Sequence, residues 1–238
     1  MKVAITSVLG ENLVSLYLYG SCITGDFDEN VSDIDLLAVI HDDLSEDQLA
    51  ALASRHDAIA RRHPQWDDRV EVVYISRRGL ANFRDRPSPA AVISPGEPFH
   101  AIDAGDDWII TWYPARQNGV ALIGPPAEEV IPLISRDEYV EAVRKHIQSF
   151  PRRVSGTPPL ASLAYAILTM CRGLYTVEHG DQVSKVQAAT WAERRLPEWS
   201  GLIRNAVLWR QSRDQAAAPP AVAGQTRRFV QEAGDMAR

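Results

Sequence analysis

Length, composition and charge exclude several classes of protein before any motif is considered. The chain has 238 residues, 45% of them hydrophobic, and a formal net charge of −6 at pH 7, which allows one large or two modest domains with a packed core. No segment approaches 18 uninterrupted apolar residues, no basic stripe is visible, and the N-terminal stretch lacks a signal-peptide apolar region. We therefore expect a cytoplasmic protein with no membrane span and no nucleic-acid partner.

A short apolar strand is followed directly by a glycine and a serine. Residues 15–19 (SLYLY) have the apolar and aromatic content of a buried strand. Gly20 permits a sharp turn and lets another group approach the backbone closely. If a helix starts after this turn, its free backbone N–H groups and the Ser21 hydroxyl can hold phosphate oxygens. The sequence therefore predicts a phosphate-binding turn at Gly20 and Ser21.

Two carboxylates open the next apolar strand, where Asp33 and Asp35 precede the run 36–40 (LLAVI). Because strand side chains alternate between faces, both carboxylates point to one face and Ile34 to the other. Such a pair can hold Mg²⁺, which prefers oxygen ligands and keeps substrate phosphates in its shell. Asp-x-Asp alone more often marks a solvated strand end. Its combination with the preceding Gly-Ser turn favours a metal-bound triphosphate site and an enzyme that transfers a nucleotide.

A third acid lies inside another apolar strand. A helix is predicted over residues 44–63, and residues 69–75 (RVEVVYI) then form a β-branched run that contains Glu71. An acid within an apolar strand is costly unless it is paired or binds metal. The alternative is that Glu71 faces solvent on an edge strand. If the strand lies beside the Asp33–Asp35 strand, Glu71 reaches the same cleft, where divalent cations would relieve the repulsion.

Acidic residues form two clusters in the next part of the chain, and two tryptophans lie among them. We predict strands over residues 108–113 and 119–123. An acidic, aromatic-lined cleft fits a cationic amino sugar through charge-assisted hydrogen bonds and stacking, with Trp108, Trp112 and Asp107 as candidate acceptor-binding residues. The alternative is a solvated loop followed by an ordinary amphipathic strand. The acids of this region are Asp103, Asp106, Asp107, Glu128 and Glu129.

The chain changes character near residue 135, because the later patterns have helical spacing. Helices are predicted over residues 137–149 and 160–179, with Gly180 as the C-cap of the second. Ser184 suits the N-cap of a helix that begins at Lys185 and ends before Pro197. Residues 216–224 (AAAPPAVAG) are typical of a linker, and residues 226–238 form a terminal helix or are disordered. We predict an α/β (α+β) domain with a small mixed sheet over 1–134 and an α-helical bundle domain over 135–238.

The chain resembles a known family at these residues. Gly20-Ser21, Asp33-x-Asp35 and Glu71 resemble the pattern of the nucleotidyltransferase (polymerase β-like) superfamily. Residues 120–129 (VALIGPPAEE) and 185–197 (KVQAATWAERRLP) resemble the aminoglycoside adenylyltransferases that act on streptomycin and spectinomycin. The likeness extends from about residue 13 to residue 210.

The resemblance implies an activity and a role for each matching carboxylate. The family's activity is transfer of AMP from ATP to a hydroxyl of an aminoglycoside or aminocyclitol, with release of pyrophosphate, and is of the antibiotic-resistance type. Asp33 and Asp35 would bind Mg²⁺ together with Glu71, and two ions are expected. Glu71 would also act as the general base on the acceptor hydroxyl.

The resemblance also implies how the nucleotide is bound. Gly20 and Ser21 would contact the triphosphate, and Lys185 would reach the ATP phosphates from the C-terminal domain. The partners are then ATP and a small-molecule acceptor, which the negative net charge suggests is cationic. We expect the chain to act as a monomer.

The acceptor is the part of the resemblance that the residues leave open. The streptomycin-acting relatives carry a tryptophan and an acid near the start of the helical domain, whereas residues 150–159 (FPRRVSGTPP) contain neither. The two arginines within residues 150–159 of this chain would repel a cationic drug. Spectinomycin, another aminocyclitol, or a non-drug acceptor such as a protein side chain or an RNA end are the remaining candidates. A non-catalytic nucleotide-binding regulatory module is the further alternative.

Overall fold

The structure is a computed structural model that describes residues 1–25, 27–153, 156–212 and 216–238. The chain divides into two compact units, Met1–Ile134 and Ser135–Arg238. The first unit combines a six-stranded sheet with helices, and the described part of the second consists of helices with short turns. The predicted fold class, an α/β (α+β) domain followed by an α-helical bundle, is confirmed.

The sheet of the first unit is mixed. Its strand order is β5-β4-β3-β2-β1-β6, in which β2 and β3 are parallel and all other neighbours are antiparallel. The predicted strands at residues 15–19, 69–75 and 119–123 are confirmed. The strands are β1 (Leu13–Tyr19), β2 (Ile34–Ile40), β3 (Val70–Ser76), β4 (Ser88–Ser94), β5 (Glu97–Ala104) and β6 (Val120–Ile123).

The central strands are buried on both faces, which explains their continuous apolar sequences. Leu36, Ala38 and Ile40 pack in a core with Val72 and Tyr74. Side chains at the intervening positions point to the opposite face of the sheet. Asp35 and Glu71 belong to that second face, at the end of the sheet where β2 and β3 begin.

Helices surround the sheet in the described part of the first unit. The predicted helix at residues 44–63 is confirmed as α3, which begins with a capping box in which Ser45 accepts from the backbone N–H of Gln48. Helices α1 and α3 pack against each other. The helices are α1 (Lys2–Leu9), α2 (Ser21–Thr24), α3 (Glu46–Arg62), α4 (Arg77–Asn82), α5 (Ile109–Asn118) and α6 (Ala127–Val130).

The strand predicted over residues 108–113 is wrong. The structure instead has a 3₁₀ turn, Asp106–Trp108, that leads into α5. The buried residues of α5 are Ile109, Trp112 and Ala115, which recur every three residues, as expected for one face of a helix. The β-branched and aromatic content of this segment favoured a strand, and the spacing of its apolar residues was the better indicator.

The second unit is built around one long helix. The predicted helices at residues 137–149 and 160–179 are confirmed, and Gly180 ends the second with φ 77°. The predicted helix that begins at Lys185 and ends before Pro197 is also confirmed. Helix α8 contacts the four other helices that the structure describes in this unit. The helices are α7 (Arg136–Ser149), α8 (Leu160–His179), α9 (Lys185–Arg195), α10 (Ser200–Ser212) and α11 (Pro220–Met236).

The linker predicted over residues 216–224 is wrong for its second half. Helix α11 begins at Pro220 and includes the fully buried Ala223. Proline suits the first turn of a helix, because its missing N–H has no intrahelical partner there. Ala218 is also buried, and its N–H donates to the carbonyl of Pro158 at 3.2 Å. The alternative of a terminal helix over residues 226–238 is therefore the right one as far as Met236.

In the part of the chain that the structure describes, α8 is the one helix long and apolar enough to cross a membrane. That finding rests on length and composition alone, and 61% of its most apolar window is buried inside the protein. The core helix of a globular domain has the same properties.

Candidate active site

The structure brings two of the predicted carboxylates side by side. Asp35 on β2 pairs in register with Glu71 on β3, and Asp35 pairs with Tyr19 on β1 from the other side. Residues in register on neighbouring strands have side chains on the same face of a sheet. Tyr19, Asp35 and Glu71 therefore form a row across three strands, and the two carboxylates are half-buried.

Tyr19 is a member of this row that the sequence did not single out. It is 6% exposed, and its hydroxyl donates to Glu71 Oε1 at 3.5 Å. Burial raises the pKa of Tyr19 well above its usual value, and the charges of Glu71 and Asp35 raise it further. The phenol therefore stays protonated and acts as a donor to the carboxylate. Its position as the last strand residue before Gly20 was the available signal.

The turn after β1 requires a glycine. Gly20 has φ 70° and ψ −149°, a conformation that side-chain-bearing residues avoid. A Cβ on Gly20 would overlap Oδ2 of Asp35 and lie 2.8 Å from its Cγ. The turn therefore lies directly against the Asp35 carboxylate. Helix α2 begins at Ser21, and its first turn is closed by N–H groups of Ile23 and Thr24 that donate to the Gly20 carbonyl at 3.0 and 3.2 Å.

Asp33 approaches the same turn through Cys22. The Cys22 thiol donates to the backbone carbonyl of Asp33, with Sγ and O 3.8 Å apart. Burial raises the pKa of the thiol, and the charges of Asp35 and then Asp33 raise it further. The thiol is therefore protonated and a poor nucleophile. The charges of both aspartates raise the pKa of the Cys22 thiol. Because Cys22 follows Ser21 directly, Gly20-Ser21 and Asp33-x-Asp35 are neighbours in space.

Arg69 organises the chain just before Asp33, a role that was not predicted from the sequence. Its side chain is buried and donates to the carbonyls of Glu29 and Gln65 at 2.7 and 3.2 Å, and from two nitrogens to that of Ser32. The guanidinium also lies over the Trp66 ring, 4.6 Å from its centroid. Arg69 thereby ties the turn that precedes Asp33 to the start of β3. The available signal was an arginine at the entrance of a strand whose other residues, apart from Glu71, are mostly apolar.

The donor chemistry of this region fits Mg²⁺. Among the residues that the structure describes, no group of three or more His, Cys, Asp and Glu side chains stands ready to hold a metal ion. Protein sites for Mg²⁺ usually consist of one or two carboxylates plus substrate phosphates rather than a complete protein cage. The half-buried carboxylates of Asp33 and Asp35, close to the Gly20 turn, suit that kind of site. The metal roles of Asp33, Asp35 and Glu71 stay predictions.

Lys185 belongs to the second unit and is the first residue of α9. The predicted N-cap is confirmed, because Ser184 Oγ accepts from the N–H of Gln187 at 3.1 Å and the Gln187 side chain accepts from the N–H of Ser184. The Lys185 ammonium lies over the ring of Tyr165, 5.0 Å from its centroid. The role of Lys185 in nucleotide binding stays a prediction.

The candidate acceptor residues lie together in the first unit. Trp108 and Trp112 stack with ring centroids 5.6 Å apart, and Asp107 accepts from the N–H of Gly105 at 3.2 Å. Trp112 is fully buried, so its ring packs the interior, whereas Trp108 is half-buried and Asp107 exposed. Acceptor binding by these residues stays a prediction.

The stretch that differs from the streptomycin-acting relatives is only partly described. Val154 and Ser155 lie outside the described residues, as do the side chains of Arg152 and Arg153. The expected repulsion between these arginines and a cationic drug therefore stays a prediction.

Comparison with known proteins matches the two halves of the chain to two different domain families. Residues 5–79 match a nucleotidyltransferase domain, and residues 129–233 match the C-terminal domain of aminoglycoside adenylyltransferases. The first match contains the Gly20 turn, Asp33, Asp35 and Glu71. The second contains Lys185.

Relatives that align with most of the chain agree with these matches. A spectinomycin 9-adenylyltransferase of Staphylococcus aureus is 26% identical over 203 residues, covering 82% of this chain and 76% of the relative. An aminoglycoside (3'') (9) adenylyltransferase of Klebsiella pneumoniae is 28% identical, covering 79% and 74%. The fold matches the crystal structure of spectinomycin adenyltransferase AAD(9) from Enterococcus faecialis with ATP and spectinomycin, with a TM-score of 0.80, 19% identity and coverage of 98% and 96%. The chain therefore belongs to the aminoglycoside adenylyltransferase family and is a nucleotidyltransferase enzyme.

Proposed function

We propose that the chain transfers AMP from ATP to a hydroxyl of an aminoglycoside or aminocyclitol such as spectinomycin and releases pyrophosphate. The observation that carries the proposal is the pairing of Asp35 with Glu71 beside the Gly20-Ser21 turn. That arrangement puts a candidate metal ligand and a candidate base on one face of the sheet, beside a candidate phosphate-binding turn. The names of the relatives support the class of acceptor.

The reaction requires one proton transfer and one displacement at phosphorus. The Glu71 carboxylate takes the proton of the acceptor hydroxyl as that oxygen attacks the α-phosphorus of ATP. The bond from the α-phosphorus to the bridging oxygen breaks, and pyrophosphate leaves with the electron pair. The acceptor then carries AMP as a phosphodiester. The Tyr19 phenol, which donates to Glu71 Oε1, helps to hold the base in place.

Asp33 and Asp35, with Glu71, would hold Mg²⁺. When bound, the metal supplies positive charge that neutralises the triphosphate and the departing pyrophosphate. The Ser21 hydroxyl and the Lys185 ammonium would bind the phosphates. A lysine is suited to this task because its compact charge can follow the phosphate oxygens as the leaving group forms.

The acceptor-binding side chains are proposed from chemistry alone. Asp107 and the half-buried Trp108 offer a carboxylate and an aromatic surface, which suit a protonated amino group and a sugar ring. The net charge of −6 favours a cationic acceptor over a nucleic acid. We place the enzyme in the cytoplasm as a monomer, where its two free cysteines, Cys22 and Cys171, would stay reduced.

Pyrophosphate release with Mg-ATP tests the proposal. The wild type and Asp35→Ala would be assayed with spectinomycin, streptomycin and other aminoglycosides, with mass spectrometry of the drug for added AMP. We expect release with spectinomycin or a related aminocyclitol, and its loss in Asp35→Ala. If Mg-ATP binds but no drug is modified, the acceptor is not a drug. If Mg-ATP does not bind, the chain is not an active transferase.

A further inference from the structure

The first turn of α9 has a defined geometry at Lys185. The reciprocal hydrogen bonds between Ser184 and Gln187 fix the start of the helix, so the backbone of Lys185 is well placed. Its side chain has a flexible four-carbon stem, whose ordering costs rotamer entropy. The position is also unfavourable for a cation, because the helix dipole is positive at this end. A neighbouring group that attracts the ammonium would lower both costs.

Tyr165 supplies such a group. It lies on α8 between Ala164 and Ala166, both of which are buried in the core, while its own side chain is 55% exposed. The ring is supported by Phe150, whose centroid is 6.3 Å away. The Lys185 Nζ lies 5.0 Å from the Tyr165 centroid, within the range of a cation–π interaction.

We propose that Tyr165 is a positioning residue that holds the Lys185 ammonium in place for the ATP phosphates. This inference rests on the proposed function, in which Lys185 contacts the nucleotide. The face of the ring attracts the ammonium through its quadrupole, and this contact restrains an otherwise flexible side chain.

A double-mutant cycle tests the proposal through Mg-ATP binding, which needs no knowledge of the acceptor. The dissociation constant would be measured by calorimetry for wild type, Tyr165→Leu and Tyr165→Phe, and for the same changes in Lys185→Gln. Exposed cation–π pairs are worth about 0.5–1 kcal/mol, so we expect Tyr165→Leu to weaken binding about two- to fivefold. Tyr165→Phe retains the ring and should restore wild-type affinity. In Lys185→Gln, Tyr165→Leu should have no further effect.

Other outcomes would overturn the proposal in distinguishable ways. An equal loss from Tyr165→Leu with and without Lys185 would mean that the ring acts independently of the lysine. A Tyr165→Phe variant as weak as Tyr165→Leu would assign the effect to the hydroxyl. If the wild type does not bind Mg-ATP, the proposed function itself fails. Leu208→Ala, at another exposed apolar side chain of the second unit, is the matched control, and unchanged melting temperatures would exclude a folding effect.

Discussion

Asp35 on β2 lies directly beside Glu71 on β3, in a parallel register that puts both carboxylates on one face of the sheet. Two half-buried carboxylates on adjacent strands repel each other, and each of them is in contact with a different residue of the β1 end and its turn. Tyr19 donates a hydrogen bond to Glu71, and the Gly20 turn lies against Asp35. The pair therefore has a hydrogen-bond donor at one member and a backbone turn at the other. The roles of Glu71 as the base and of Asp35 as a metal ligand stay predictions.

Glu71→Gln should separate catalysis from nucleotide binding. The amide retains the size of the carboxylate and can still accept from Tyr19, but it cannot take a proton. General-base catalysis contributes about 10²- to 10⁴-fold, so we expect kcat to fall by that amount. The dissociation constant of Mg-ATP should change much less, because Asp33, Asp35 and the phosphates would still hold the ion. Glu97→Gln on β5, an exposed glutamate of the same sheet, is the control. A wild-type rate in Glu71→Gln would remove the general-base assignment.

Asp35→Asn should impair both metal binding and transfer. The substitution retains the shape of the side chain but removes the charge that Mg²⁺ requires. Because the metal supplies several kcal/mol of transition-state stabilisation, we expect a loss of at least about 100-fold at low Mg²⁺. A titration of activity against Mg²⁺ concentration measures the effect, with partial recovery at high concentration. An Asp35→Asn enzyme with an unchanged Mg²⁺ dependence would contradict the metal role.

The region around Asp33 and Glu71 was predictable because its signals are local. An apolar strand, a glycine turn and two acids at alternating positions each follow from a few consecutive residues. The sequence did not determine that β2 and β3 are neighbours, since strand pairing depends on contacts between distant parts of the chain. The position of Glu71 beside Asp35 was therefore only a conditional expectation until the sheet order was known.

The errors have physical reasons of the same kind. Strands β4 and β5 were not predicted, because β4 contains Pro89 and two alanines and most of β5 is exposed or half-buried. The β-branched and aromatic residues of α5 favoured a strand, although its core-facing residues have helical spacing. The contribution of Arg69 could not be foreseen, because its partners are backbone carbonyls up to 40 residues away in sequence.

Gly20→Ala should damage the site more than the same change at another glycine with positive φ. The new methyl group would overlap the Asp35 carboxylate, and the backbone conformation itself costs an alanine about 1–3 kcal/mol. We expect at least a tenfold loss of transfer together with a lower melting temperature. Gly25→Ala is the matched control, because Gly25 has φ 80° but a Cβ added there would meet no atom of the described residues within 4 Å beyond its chain neighbours.

Gly25→Ala should therefore lose about 1 kcal/mol of stability from backbone strain and retain near-normal activity. The two variants together distinguish the close approach at Gly20 from strain alone. Equal activity losses in both, measured at a temperature where both are folded, would mean that contact with Asp35 is not the reason for the glycine.

His56 should make the stability of the first unit sensitive to acid. The side chain is buried, its Nε2 lies 2.9 Å from the Tyr74 hydroxyl, and its ring stacks on Phe99. Burial lowers the pKa of His56 from 6.5 to about 4, with the charge of Asp57 acting in the opposite direction and the amino terminus adding to the lowering. The folded state therefore favours the neutral imidazole.

The sign of the pH effect follows from this shift. Between pH 6.5 and about 4 the unfolded chain binds a proton at His56 that the folded chain does not, so acid favours unfolding. The stability that the neutral His56 contributes is fully present above pH 6.5. It is lost progressively as the pH falls toward about 4, and the total loss is at most about 3 kcal/mol. His56→Gln can still hydrogen-bond Tyr74 but does not titrate. Denaturant unfolding of both proteins across this range should show the wild type losing more free energy of unfolding than the variant, and parallel curves would contradict the assignment.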